Sequence, residues 1–236
     1  AFVGAAIHDG IELHQSKVLL CEDDVVVAVK DLDELPSTCI VRQLDGGYLM
    51  PGFVDLQVNG GGGVMFNDDQ SVAALATIAR AHALTGTHAL LPTLITATAE
   101  RSRAAIEAVT AAIEKNLPGI IGIHLEGPHL SVSRKGAHDP LLVRPMSDQD
   151  LGMICEAAQR LPNVMVTVAP ENVTRVQVKT LIKSGAIVSL GHTDADYATC
   201  SGYFDDGAGC ATHLFNAMSQ LGNRDPGLVG ATLDKA

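Results

Sequence analysis

GIIGIHLEG at 119–127, followed by SDQDLGMICEAAQR at 147–160, is the stretch on which the fold turns. The first run is apolar almost throughout, carries His124 and Glu126 near its end, and stops at Gly127-Pro128. The second places apolar residues at i, i+3 and i+4 behind Ser147, whose spacing to Asp150 resembles that of a capping box. A strand buried on both faces and followed by an amphipathic helix is a βα unit of a parallel sheet. The same alternation continues in both directions. FVDLQV (53–58) precedes SVAALATIARAHAL (71–84), and HALLPTLI (88–95) precedes AERSRAAIEAVTAAIEK (99–115), with Thr96 or Thr98 placed to cap that helix. Further on, NVMVTVAP (163–170) precedes NVTRVQVKTLIKSG (172–185), AIVSLGH (186–192) precedes DADYATCSGYFDDG (194–207), and AGCATHLF (208–215) forms a sixth strand. Gly86 and Gly185 stop the helices before them.

Residues 1–50 have a different texture. GIELH, SKVLL, DDVVVAVK and STCIVRQL are Val- and Ile-rich runs broken by polar turns, so a small β domain at 1–50 and an α/β domain at 51–236 are expected. Six strands fit either an open doubly wound sheet or a (β/α)8 TIM-type barrel, which takes about 250 residues and would here stop about two units short. The polar residues decide between them. Asp55, Gln57 and Asn59 end the first strand, His124 and Glu126 the third, His192 follows the fifth, and His213 lies on the sixth. In a barrel these C-terminal strand ends converge on one mouth, whereas an open sheet spreads them along an edge. An incomplete barrel is therefore the expected fold.

The net charge of −11 argues against nucleic acid or an anionic membrane as partner, and 47% hydrophobic with 18% charged residues excludes disorder as the main state. Aromatic residues make up 3% with no Trp, so a small polar substrate fits better than a polymer. No apolar run approaches the roughly 20 residues of a bilayer span, and AFVGAAIHDG lacks the basic start of a secretory signal, so a cytoplasmic location is expected. Five irregularly spaced cysteines without a CxxC pair indicate neither a disulfide framework nor a cysteine zinc site.

Glu126, His192 and His213 each have an ordinary structural explanation when taken singly. Together, one carboxylate and two imidazoles with a position left for water match a catalytic zinc site, and the implied chemistry is metal-assisted hydrolysis. Gly60 to Gly63 in QVNGGGGVMF, His138 in RKGAHDP, and Asn216 and Arg224 in NAMSQLGNRDPG are candidate substrate contacts, Arg224 for a phosphate or carboxylate.

PGFVDLQVNG (51–60), GIHLEGPHL (122–130), KGAHDP (135–140), SLGHTDADY (189–197) and ATHLFNAMSQLGNRDPGLVGA (211–231) closely resemble the N-acetylglucosamine-6-phosphate deacetylases of the amidohydrolase superfamily. The resemblance implies a barrel of the amidohydrolase kind with a small β-sandwich domain to which the N-terminus contributes. It implies that Glu126, His192 and His213 bind one divalent metal ion, Zn2+ first, with Fe2+, Co2+ and Mn2+ also compatible. His138 resembles the residue that hydrogen-bonds the acetamido carbonyl. Asn216 and Ala217 resemble positions that hold the sugar phosphate, and Arg224 resembles a phosphate-binding Arg that in the family can be delivered across a homodimer interface. Gln57 and Asn59 stand where many superfamily members carry His-x-His, which points to a single metal. The general-base Asp of the family would lie beyond Ala236, so residues 1–236 alone are expected to be inactive. His129 departs from the large apolar or aromatic residue usual at its position. A related N-acyl sugar phosphate, such as N-acetylgalactosamine 6-phosphate, and a non-catalytic metal-binding scaffold are the alternatives.

Overall fold

The computed structural model describes residues 1–235, and the chain divides into two compact units, Ala1–Phe53 and a second beginning at Val54. The division expected after residue 50 thus falls three residues later, inside the first strand of the large sheet.

The first unit holds two small sheets. One orders Val25–Lys30, Val18–Glu22, Phe2–Val3 and Arg42–Gln43, and the other Leu13–His14, Ala6–His8 and Tyr48–Leu49. Val18–Glu22 and Val25–Lys30 form an antiparallel hairpin. Of STCIVRQL only Arg42–Gln43 pairs as a strand; Pro36 to Cys39 close a turn, and the side chains of Ile40 and Val41 are exposed.

The second unit is built on a six-stranded sheet. Its strands are β1 (Phe53–Val58), β2 (Thr87–Ile95), β3 (Ile123–Glu126), β4 (Val164–Val168), β5 (Ile187–Leu190) and β6 (Cys210–Ala211). They lie side by side in chain order, and every neighbouring pair from β2 to β6 is parallel. A doubly wound sheet reverses its order at a switch point. None occurs here, so the sheet is the wall of an incomplete barrel.

A helix follows each strand: α1 (Val72–Ala83), α2 (Ala99–Glu114), α3 (Asp148–Arg160), α4 (Arg175–Lys183), α5 (Tyr197–Asp205) and α6 (Gly227–Lys235). Thr98, not Thr96, caps α2 by accepting from Arg101 N, and Ser147 with Asp150 forms the expected capping box on α3. Gly86 and Gly185 take left-handed φ values of 95° and 100° just after α1 and α4. Among the described residues no helix is long and apolar enough to cross a membrane.

Strand alternation sorts the side chains. Val164, Val166 and Val168 of β4 and Ile123 and Leu125 of β3 join the core with Leu75, Ile78, Val109 and Leu181 of the helices. Each fully buried aliphatic side chain there contributes about 1.5–3 kcal/mol. The intervening residues face the other way, as period-2 geometry requires. They form a chain of hydrogen bonds across the barrel interior. His124 Nε2 lies 2.7 Å from Thr167 Oγ1, which lies 2.6 Å from Thr212 Oγ1, which lies 2.7 Å from Ser189 Oγ.

His124 is buried, and burial, outweighing the attraction of Glu126, pushes its imidazole down to about 4 from 6.5. The unfolded chain therefore takes up this proton first, and stability present above pH 6.5 is lost as pH falls toward 4. The share due to His124 is about 3 kcal/mol. Urea unfolding of the metal-free protein at pH 7 and 4.5 should show this loss, reduced in His124→Gln; an equal loss in the variant would contradict the assignment.

Candidate metal centre

β3 delivers Glu126 to the C-terminal end of the sheet, and the turns after β5 and β6 bring two imidazoles to it. Ligand atoms of Glu126, His192 and His213 all lie within 4.8 Å of one another. Glu126 Oε1 is 3.1 Å from His192 Nε2 and 3.1 Å from His213 Nε2, and the two imidazole nitrogens are 3.0 Å apart. Glu126 and His192 are buried and His213 is half-buried.

His213 is not on a strand. β6 ends at Ala211, and His213 lies in a turn closed by Asn216 N donating to its carbonyl. Both imidazoles sit on left-handed backbone, with φ 48° at His192 and 36° at His213. That conformation is unfavourable for a residue with a Cβ.

The donor set fits a cation. His192 Nδ1 is 2.7 Å from Arg134 O, and His213 Nδ1 is 2.9 Å from Asn216 O. A carbonyl only accepts, so each Nδ1 carries a proton and each ring presents its Nε2 to the carboxylate. Burial raises the Glu126 carboxyl, yet hydrogen bonds with His192 and His213 outweigh it and hold the group below the usual carboxylate range. The hydrogen bond with Glu126 in turn raises His213. One carboxylate with two Nε2 atoms gathered about it calls for positive charge, which protons on those nitrogens or a divalent ion can supply.

Gln57 stands beside the cluster. Its Nε2 donates to Glu126 Oε2 at 2.9 Å, fixing the carboxylate, while Asn59 contributes its carbonyl to Phe66 N.

His138 joins the centre. It is buried, its ring centroid is 4.4 Å from that of His192, and its Nε2 is 3.9 Å from Glu126 Oε2. Thr96 N donates to His138 Nδ1 at 3.3 Å, and Thr96 Oγ1 lies 2.7 Å from the same nitrogen. Nδ1 is therefore the acceptor and Nε2–H the donor facing the site. Burial, then the neighbouring His192, pushes the ring down to about 4, so it is neutral at pH 7. Thr96, one of the two threonines placed to cap α2, orients this histidine instead.

Other candidates lie differently. Gly60–Gly61 pairs with Val64–Met65 as a hairpin. A Cβ at Gly62 would stand 2.9 Å from Thr77 Cγ2, and one at Gly61 3.0 Å from the His82 ring, so close packing on α1 explains these glycines. Asn216 reaches the centre through its carbonyl, and Ala217 has φ 50°. Arg224 is exposed, in a loop where Gly222 N donates to Asp225 O, and pairs with no acid among the described residues. His129 is buried and hydrogen-bonded to Arg144 O.

The amidohydrolase family model matches residues 48–234. The chain is 47% identical over 80% of its length to the N-acetylgalactosamine-6-phosphate deacetylase of Shewanella sp., and spans 48% of that relative. The crystal structure of the N-acetylglucosamine-6-phosphate deacetylase from Pasteurella multocida superposes with a TM-score of 0.94 at 36% identity, covering 99% of this chain and 61% of that one. A variant of the Mycobacterium smegmatis N-acetyl-D-glucosamine-6-phosphate deacetylase, in complex with N-acetyl-D-glucosamine-6-phosphate, matches with a TM-score of 0.84 at 34% identity, covering 99% of this chain and 60% of that one. The chain thus spans about half to three fifths of the length of these relatives.

Proposed function

The chain belongs to the amidohydrolase family, and on that footing we propose that the protein containing it deacetylates an N-acetylhexosamine 6-phosphate, first N-acetylglucosamine 6-phosphate, to acetate and the free amino sugar phosphate. The observation that carries the reading is the convergence of Glu126, His192 and His213 beside a neutral His138 that donates toward them. The three would hold one divalent ion, Zn2+ first. Bound there, such an ion supplies Lewis acidity toward a carbonyl and acidifies water.

The chain's own residues set the rest. Gln57 keeps Glu126 oriented. His138 Nε2–H donates to the acetamide oxygen as negative charge develops on it, and Thr96 keeps that proton on Nε2. Asn216, Ala217 and Arg224 anchor the phosphate, so that binding energy remote from the amide orients it. Among the described residues, Glu126 is the one acid that contacts His138, His192 or His213, and it is committed to the cation. Proton transfer to the leaving amine is then assigned to an acid other than Glu126. A cytoplasmic homodimer is the proposed working form.

The 47% identity to a deacetylase of the galactosamine series favours one second reading, the C4 epimer as substrate. Acetate release from both 6-phosphates, with and without chelator, tests the proposal. Chelator-sensitive turnover of one epimer is expected, and turnover of neither would refute it. Arg224→Ala should raise KM for the 6-phosphate substrate at least tenfold, as loss of a charge-assisted phosphate contact implies. KM for the unphosphorylated sugar should not change. Equal effects on both would remove Arg224 from the phosphate site.

A further inference from the structure

We propose that Arg134 is a positioning residue for His192, acting through its ion pair with Asp194; the inference rests on the reading of His192 as a cation ligand. The loop after β3 and the turn after β5 are bound together at four points. Ser131 N donates to His192 O at 2.8 Å, and His192 Nδ1 donates to Arg134 O at 2.7 Å. The Arg134 side chain then reaches back across the turn, with Nε 2.8 Å and a terminal nitrogen 2.6 Å from Asp194 Oδ1. On the far side, Glu171 accepts from Thr193 Oγ1 at 2.6 Å and from Asp194 N at 2.8 Å.

The main chain of Arg134 thus fixes the ring of His192, while its guanidinium fixes the residue two places on. Gly136 closes the same loop over the ring, since a Cβ there would stand 3.4 Å from His192 Cε1. The arrangement has something to hold. His192 is a non-glycine residue at φ 48°, a minority conformation once its neighbours let go. The loop also leads to His138, whose N–H donates to Lys135 O at 3.0 Å, so one ion pair ties the carbonyl donor's loop to the ligand's turn.

Arg134 and Asp194 are partly exposed, so breaking the pair costs little global stability. Its effect falls on the fraction of molecules with His192 aimed correctly, and apparent metal affinity scales with that fraction. In the full-length protein, Zn2+ titration against a chromophoric chelator should show Arg134→Gln and Asp194→Asn each raising the dissociation constant about fivefold to tenfold. The double variant should be no worse than either single one, and the metal-free melting temperature should barely move. Unchanged affinity in the singles, or fully additive losses in the double, would overturn the proposal. If Arg134→Gln does not fold, Asp194→Asn carries the test alone. His192→Ala separates the two levels. Zn2+ held as tightly as in the wild type would refute the ligand set itself, whereas loss of Zn2+ there with unchanged affinity in Asp194→Asn would refute only the positioning role.

Discussion

Replacing His213 with alanine is expected to strip the protein of its divalent ion. The side chain supplies one of three protein donors, and its Nε2 lies 3.1 Å from Glu126 Oε1 and 3.0 Å from His192 Nε2. A zinc site of four donors is worth about 10–16 kcal/mol at neutral pH, so an equal share for one donor is about 3–4 kcal/mol, or two to three orders of magnitude in affinity. Metal content after dialysis should fall from about one ion per chain to near zero, with deacetylation falling in step. The fold should survive, because His213 sits in a turn beyond β6 and outside the apolar core. Stoichiometric metal in the variant would show that His213 is not a ligand.

His138→Ala should separate chemistry from metal binding. Removing one preorganised donor to a developing oxyanion costs about 10²–10³ in kcat. KM should change by a small factor and metal content not at all, because the ring faces Glu126 Oε2 at 3.9 Å and is absent from the converging cluster. The pH dependence follows from the same geometry. With its imidazole held down to about 4, His138 stays a neutral donor throughout the neutral range, so the wild-type pH profile should show no limb near 6.5 that vanishes in the variant. Loss of metal in His138→Ala, or an unchanged kcat, would assign the residue a different role.

The βα units were legible in the sequence because each carries two periodicities and its own end signals, as β3 and α3 do in GIIGIHLEG and SDQDLGMICEAAQR. Barrel and open sheet share those local patterns; the polar residues at the strand ends pointed to the barrel, and neighbour order, a tertiary property, bears it out. The three converging residues were legible as polar groups at strand ends. The shortness of β6 was not. AGCATHLF reads as one apolar run, yet His213, Phe215 and Ala217 all take left-handed φ, and no residue type there announces it. Thr93, Thr167, Ser189 and Thr212 passed as ordinary residues in apolar runs, since their hydrogen bonds exist only once strand register is set. Thr96 and Thr98 were indistinguishable as helix caps until Thr96 was seen to hold His138, 42 residues away in sequence.

An anomalous-scattering map from crystals of the full-length protein, recorded on both sides of the zinc edge, tests the central claim most directly. One peak per chain is predicted, about 2.0–2.2 Å from Glu126 Oε1, His192 Nε2 and His213 Nε2. A peak coordinated by other side chains, two peaks bridged at this end of the barrel, or none in protein shown by elemental analysis to carry metal would contradict it.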